Sequence, residues 1–247
     1  MRSAALVTLG MSWSAGFVDA GCYERLERTY TSHITGSTAG TAANLATGMW
    51  TDAARFGWAV ASFVIGLLLG AWLRHVEHRQ HIRSAFATVL AAEIVMLTLF
   101  IWWSGFASFP LGCLLFLAAA AMGMQTVTVT RVGKIRVYTT FHTGSLSKFS
   151  EAITGYLFWA WDRTRGRFWK RLARVLRVTP RHETMQQASI TAGIWLAFLI
   201  GAVCGVAAVS TWGSIALAIA MAPLGYAIRV DLRRPAQLAD IASVDRE

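Results

Sequence analysis

The sequence predicts an all-α integral membrane protein built as an inverted-topology repeat, with three spans and one re-entrant half-helix in each half. Three observations predict it: long apolar stretches, a biased distribution of basic residues, and a motif that occurs twice. Hydrophobic residues make up 55% of the 247 residues and charged residues only 15%, whereas soluble domains average about 25% charged residues. The apolar stretches run for roughly 17–22 residues, the length a helix needs to cross about 30 Å of hydrocarbon.

Eight apolar segments follow one another along the chain, at residues 3–22, 31–50, 56–73, 84–103, 109–130, 138–160, 187–209 and 212–229. The first resembles a signal peptide, but Asp19 stands where a small-residue cleavage site would be, so we expect a membrane-spanning helix. Two segments are more polar than the others. Segment 31–50 is rich in Thr, Ser and Gly, and segment 138–160 contains Lys148 and Glu151, which we expect to pair on one helix face.

The basic residues indicate how the two polar segments run. If all eight segments crossed the membrane, the six basic residues of loops 74–83 and 131–136 would lie outside, against the bias of Lys and Arg towards cytoplasmic loops. If both polar segments re-enter, nineteen basic residues lie inside and only Arg25, Arg28 and Arg55 lie outside. The sequence therefore predicts six spans with both termini cytoplasmic. This placement explains the net charge of +10 without nucleic-acid binding.

Two patterns occur in the same order in both halves of the chain. T-[ST]-x-x-T-G-S stands at 31–37 and 139–145, and F-x-I-G-x-x-x-G follows at 63–70 and 198–205. Two ordered matches indicate a duplication, with residues 1–103 as the first membrane repeat and 104–247 as the second. Because each repeat contributes three spans, an odd number, the second repeat is inverted in the membrane.

The second repeat carries a basic cytoplasmic insertion, 162–183, and a cytoplasmic C-terminal tail. Four apolar residues of the insertion share one helical face: Phe168, Leu172, Val175 and Leu176. This pattern predicts a helix lying on anionic lipid head groups, with a solvated basic loop as the alternative. The three cysteines form no C-x-x-C pair, so we expect neither a metal site nor a cofactor.

The candidate solute-binding site consists of two TGS motifs, Thr35-Gly36-Ser37 and Thr143-Gly144-Ser145. Because Thr and Ser are good helix N-cap residues, we expect helices over 37–47 and 145–159 whose N-termini meet near the membrane midplane. Helix N-termini favour anions and carbonyl-bearing solutes. The alternative is that the motifs only terminate and pack two short helices.

Three polar residues at the ends of the first and fifth apolar segments extend the candidate substrate-binding set. Asp19 lies late in the first segment, and its repeat counterpart is Thr126, beside Gln125. A carboxylate inside a membrane is costly and therefore suggests a function. For Asp19 the alternative is an interfacial cap or a partner for Arg25.

Three further titratable residues lie in the apolar segments. His33 and His142 precede the TGS motifs and are added to the substrate-binding set, because imidazoles can relay protons near neutral pH; the alternative is that they bond to backbone groups freed by a broken helix. Glu93 lies in the middle of the fourth segment. It is a candidate proton-coupling residue, with a structural bond to a neighbouring helix as its alternative.

Four stretches together resemble the YoaK-like family of bacterial inner-membrane proteins, a domain of unknown function with six predicted spans: GFVDA at 16–20, SHITGS at 32–37, AMGMQTVTV at 121–129 and TTFHTGSL at 139–146. The resemblance covers nearly the whole chain and implies an inner-membrane location. The family usually has Asn at the positions of Ser37 and Thr126, so a shared ligand would meet a different side chain at both.

We interpret the sequence as a membrane transporter or channel for a small polar or anionic solute. A membrane-embedded enzyme using Asp19, His33, His142 and Glu93 is the alternative, but the chain has no H-E-x-x-H or G-x-S-x-G signature, and we assign no catalytic residue. A third interpretation is a scaffold that contacts the lipid bilayer without transporting anything. The solute, the coupling ion and the formation of homo-oligomers are left open.

Overall fold

A computed structural model describes residues 2–79, 84, 86–106, 108–128, 130–132, 135–137, 142–164, 179 and 182–233. The described chain is helical apart from one short hairpin, in agreement with the predicted helical class. Its helices are α1 (Arg2–Gly21), α2 (Ile34–Ala46), α3 (Trp50–Arg79), α4 (Ala87–Ser104), α5 (Leu111–Val127), α6 (His142–Thr164), α7 (Glu183–Trp212) and α8 (Met221–Arg233). A 3-10 segment, Gly213–Ala220, joins α7 to α8. Most of the predicted surface helix in the 162–183 insertion, and the C-terminal tail, lie outside the described residues.

The hairpin is a departure from the all-α prediction. Strands β1 (Thr130–Val132) and β2 (Ile135–Val137) pair antiparallel, with Arg131 opposite Arg136. Thr, Val and Ile are β-branched residues that favour strands, whereas the basic residues of this stretch predicted only a loop.

Within the described residues, three stretches are long and apolar enough to cross a membrane: Trp50–Glu77, Ala87–Ser104 and Glu183–Arg233. The last has 51 residues and contains both α7 and α8. Large apolar side chains on these stretches face outwards, among them Leu68 (66% exposed) and Val203 (64%). Such extended apolar surfaces are unfavourable in water and suit contact with lipid.

Two parallel helix pairs form the centre of the bundle. In the first pair, α1 packs along α7, with Gly16 against Phe198 and Gly21 against Gly205. In the second pair, α3 packs along α5. Gly66 meets Ala120 and Gly70 meets Met124 there. Small residues at these contacts let the backbones approach closely, which is how helices in membranes gain packing energy.

The two ends of the bundle can be told apart by their contacts. α8 runs antiparallel to α1, because Gly10 faces Pro223 and the Ser14 hydroxyl donates to the Ala220 carbonyl at 2.8 Å. The first residue of α1 and the last residue of α8 therefore lie at the same end, which we call the terminal end. α3 also ends there, because Glu77 accepts from the Thr88 amide at 3.0 Å and the adjacent Ala87 amide donates to Asp231 near the end of α8. α5 ends beside α3, because Arg74 donates to the Val127 carbonyl at 2.9 Å.

At the opposite end of the bundle, the segment after α1 meets the start of α3 and the end of α4. Arg25 donates to the Ser104 carbonyl at 3.1 Å. Arg55 pairs with Glu27 at 2.5 Å and with Asp52 at 2.7 Å. The main apolar core lies between the two ends and joins α1, α4, α5 and α8 through Met11, Leu97, Met122 and Leu224.

Candidate functional site

Asp19 organises the chain between α1 and α2. Its Oδ1 accepts hydrogen bonds from the Thr31 amide at 2.7 Å, the Thr31 hydroxyl at 2.7 Å and the Ser32 amide at 2.8 Å. The side chain is 5% exposed. Arg25, which was one of the alternative partners for Asp19, donates to the Ser104 carbonyl instead. Asp19 therefore draws the chain back to α1 immediately before α2 begins.

The two TGS motifs occupy the same place in their helices. α2 begins at Ile34 and α6 at His142, so both helices start three residues before the expected positions. The motifs are therefore the second to fourth helical residues, and the predicted N-cap role of Thr35 and Ser37 is wrong. The N-cap residue of α2 is His33, which makes no side-chain cap bond. The Ile34 amide donates to the Ser32 carbonyl at 3.0 Å, and Ser32 is itself bonded to Asp19. The contact with Asp19 therefore makes α2 begin at Ile34, before the motif.

The contacts of α2 with α3 give the position of Gly36 along α3. A Cβ on Gly40 would lie 3.3 Å from the Phe56 ring, and the two helices are antiparallel neighbours in sequence. Counting back four residues, about one turn, puts Gly36 opposite about Val60. α3 has 30 residues and is about 45 Å long, so Gly36 lies roughly 7 Å from its midpoint.

The contacts of α6 with the start of α7 give the position of Gly144 along α7. The rings of Trp159 and His182 are 4.1 Å apart, and the Tyr156 and Thr179 hydroxyls are 2.5 Å apart. Since α6 packs extensively against α7 and this contact joins the end of α6 to the start of α7, the two helices run antiparallel. Counting along both helices then places Gly144 opposite about residue 197. α7 also has 30 residues, from Glu183 to Trp212, so Gly144 lies close to its midpoint.

Burial follows the same pattern in both motifs. Ser37 and Ser145 are buried, at 4% and 7% exposed, whereas Thr35 and Thr143 are exposed. Gly36 is also exposed and Gly144 is half-buried. Each motif therefore presents its threonine outwards and packs its serine inwards.

Two tyrosines that sequence reasoning missed lie next to the first motif. The His33 ring covers Gly36, with Nε2 2.9 Å from where a Cβ would stand. The Tyr30 ring is 5.9 Å from His33 and 4.4 Å from Tyr23. Partial burial raises the pKa of Tyr30, and Tyr23 and Asp19 raise it further, so this phenol is a hydrogen-bond donor at neutral pH. The sequence does contain a signal for this cluster, because the rings of Tyr23, Tyr30 and His33 all lie between Asp19 and the motif. The side chain of His142 lies outside the described part of the chain.

Gln125 lies where α5 meets α1. Its Nε2 donates to the Met11 carbonyl at 3.0 Å, and the side chain is fully buried. Its Oε1 has no hydrogen-bond partner among the described residues. The neighbouring Thr126 hydroxyl donates to the Met122 carbonyl at 2.8 Å, within its own helix.

Glu93 is fully buried in α4. Leu90 and Leu97, one turn away on either side, belong to the main apolar core. Neither carboxyl oxygen of Glu93 has a hydrogen-bond partner in the part of the chain that the structure describes. The structural bond to a neighbouring helix that was the alternative for this residue is therefore not seen there.

The expected pairing of Lys148 with Glu151 is wrong. Both of these described residues are exposed, and no ion pair joins them. Exposed pairs of this kind are worth little. The described residues contain no group of His, Cys, Asp and Glu side chains that could hold a metal ion.

Comparisons with known proteins agree with the membrane fold. Residues 7–229 match the family described as "Protein of unknown function (DUF1275)". The UPF0700 transmembrane protein YoaK of Bacillus subtilis (strain 168) is 28% identical over 148 residues, which cover 59% of this chain and 65% of that protein. No solved structure matches the chain significantly. The YoaK-like resemblance is confirmed, and the chain belongs to the DUF1275 family, a transmembrane protein family of unknown function.

Proposed function

We propose that the chain is a membrane transporter or channel for a small polar or anionic solute, with its binding site between the two TGS motifs. One inference from the helix contacts carries this proposal. Each motif lies in the first turn of its helix, and counting from the Gly40–Phe56 and Trp159–His182 contacts puts it near the middle of a neighbouring 30-residue helix. Helix N-termini at such a depth are a recurrent feature of substrate sites in transporters.

The glycine contacts support an inverted repeat. Gly16 meets Phe198 as Gly123 meets Phe63, and Gly201 meets Trp13 as Gly66 meets Ala120. In both pairs of contacts, the residue in α5 follows its counterpart in α1 by 107 positions. The residue in α7 follows its counterpart in α3 by 135 positions. Since α1 starts at the terminal end and α5 finishes there, the two pairs run in opposite directions.

The flanks of α2 and α6 support re-entry from opposite sides. The pair between Glu27 and Arg55 brings together the chain before and after α2 at the end opposite to the terminal end. α2 has 13 residues and is about 20 Å long, too short to cross the hydrocarbon. α5 finishes and α7 starts at the terminal end, so α6 is flanked there on both sides.

The chemistry of the first motif suits a solute that accepts hydrogen bonds. In the described residues the Ile34 and Ser37 amides donate to backbone carbonyls, and the exposed Thr35 and Gly36 stand between them. The amides of a first helical turn and the positive end of its dipole favour negative charge. Glu93 supplies the buried ionisable group that would couple transport to protons.

Flux into sealed vesicles tests the proposal. Purified protein is reconstituted, and uptake of chloride, nitrate, formate, acetate and phosphate is followed with anion- and pH-sensitive dyes. Wild type is expected to exceed empty vesicles for at least one solute, and Gly144→Leu to abolish that flux. The matched variant Gly155→Leu lies in the same helix with nothing within 4 Å of its Cβ and should retain flux. Equal rates in wild-type and empty vesicles for all five solutes would count against transport and favour an enzyme or a scaffold.

A further inference from the structure

Two buried carboxylates converge on the first residues of α4, at the terminal end. Asp231 Oδ2 accepts hydrogen bonds from the amides of Phe86 and Ala87, both at 3.0 Å. Glu77 Oε1 accepts from the Thr88 amide at 3.0 Å and from the Ser84 hydroxyl at 2.9 Å. Asp231 is 0% exposed and Glu77 is 2% exposed.

The two carboxylates attach α4 to different parts of the molecule. Glu77 is in α3, the helix that precedes α4 in the first half of the chain. Asp231 is in α8, in the second half. Each carboxylate stabilises the N-terminus of α4, the positive end of the helix dipole, although burying a carboxylate is costly. Among the described residues, the hydrogen bonds of Asp231 link the N-terminus of α4 to the second half of the chain.

This attachment lies close to Glu93. Six residues separate Ala87 from Glu93, or about 9 Å along the helix axis. α8 contacts α4 on both sides of Glu93 in the sequence, at Ala87 through Asp231 and at Thr98 through Met221. α4 and α8 are in contact along their length, since the Thr98 hydroxyl lies 3.8 Å from the sulfur of Met221.

We propose that Asp231 is a positioning residue that closes the terminal end of the bundle over Glu93. Release of the Phe86 and Ala87 amides from Asp231 separates α8 from the start of α4 and admits water to Glu93, while Glu77 keeps α4 attached to α3. The role of this closure as a gate rests on the proposed function. The closure itself is a property of the folded chain.

Chemical modification of Glu93 tests the closure without a known solute. The full-length protein in detergent is treated with a water-soluble carbodiimide and glycine ethyl ester, and modification of the peptide containing Glu93 is quantified by mass spectrometry. We expect little modification in wild type and roughly tenfold more in Asp231→Ala, because two buried amides lose their acceptor and the helix end opens more often. Asp231→Asn keeps an oxygen acceptor and should show a smaller increase, which keeps the test available if the alanine variant does not fold.

Two matched variants separate closure from general loosening. Glu77→Ala removes the other carboxylate of the same helix end, and Leu26→Ala truncates a fully buried core side chain at the opposite end of the bundle. Both should leave Glu93 within about twofold of wild type, because neither removes the bond between the halves. The proposal is overturned if Glu93 stays unmodified in folded Asp231 variants, or if Leu26→Ala exposes it equally. Exposure of Glu93 in Asp231→Ala together with absent flux would support the closure and count against the transport function alone.

Discussion

Gly16 packs against Phe198 so closely that a Cβ on Gly16 would clash with the Phe198 carbonyl oxygen. Gly123 has the same relationship to Phe63. Four residues from four different helices thus form two equivalent contacts, one between α1 and α7 and one between α5 and α3.

Substitution at these glycines should be equally harmful in both halves. We expect Gly16→Ala and Gly123→Ala each to destabilise the protein by about 1–3 kcal/mol, because the backbones must move apart. Gly155→Ala is the control, since that glycine is exposed in α6 with nothing within 4 Å of its Cβ. Thermal melting in detergent measures all three. A large effect at one glycine and none at its counterpart would contradict the equivalence of the two contacts.

Asp19→Ala should loosen the chain between α1 and α2. It leaves the Thr31 amide, the Thr31 hydroxyl and the Ser32 amide without their acceptor, and each buried group left unpaired costs about 1–3 kcal/mol. We expect a lower melting temperature and faster proteolysis within residues 22–33. Glu24→Ala, an exposed acid of the same segment, should change neither. An unaltered melting temperature in Asp19→Ala would show that these bonds do not hold the segment.

The helical membrane class could be predicted because apolar length and clustered charge are properties of the chain alone. The glycines of the repeated F-x-I-G-x-x-x-G pattern likewise lie at helix contacts. The start of α2 could not be predicted, because Asp19, fifteen residues before Ile34, fixes it through a bond across the fold. Local N-cap preference at Ser37 was overridden by that tertiary contact.

Only part of the candidate site could be predicted, because its other contacts also join residues that are distant in the sequence. Two TGS motifs can be read from the sequence, but the stacking of Tyr23 on Tyr30 beside His33 depends on how the loop returns to α1. The role of Asp231 at the start of α4 was also hidden, because 144 positions separate it from Ala87. Bonds between distant residues leave no local pattern.

Cysteine labelling should give opposite results at the two ends of the bundle. Arg28 and Arg79 are both exposed, and the charge bias places Arg28 outside and Arg79 inside. In a background without reactive cysteines, a membrane-impermeant maleimide should label Arg28→Cys in intact cells. Arg79→Cys should be labelled only after permeabilisation. Labelling of position 79 in intact cells would overturn the orientation and the re-entry of α2.

Glu93→Gln should separate stability from coupling. Because neither Glu93 oxygen has a partner among the described residues, the amide replaces the acid without breaking a bond seen there, and we expect a melting temperature close to that of wild type. Flux in vesicles should lose its dependence on an imposed pH gradient, since Gln carries no titratable proton. Unchanged pH dependence in Glu93→Gln would remove this residue from the coupling mechanism.

The distance between the two TGS motifs tests the central claim most directly. Spin labels at the exposed Thr35 and Thr143, measured by pulsed electron paramagnetic resonance and corrected for label length, report the separation of Gly36 and Gly144. We expect their Cα atoms within about 15 Å, roughly half the hydrocarbon thickness, with both helices leading away from the centre. A separation of about 30 Å, the full thickness, would place the motifs at opposite membrane surfaces and contradict a shared central site.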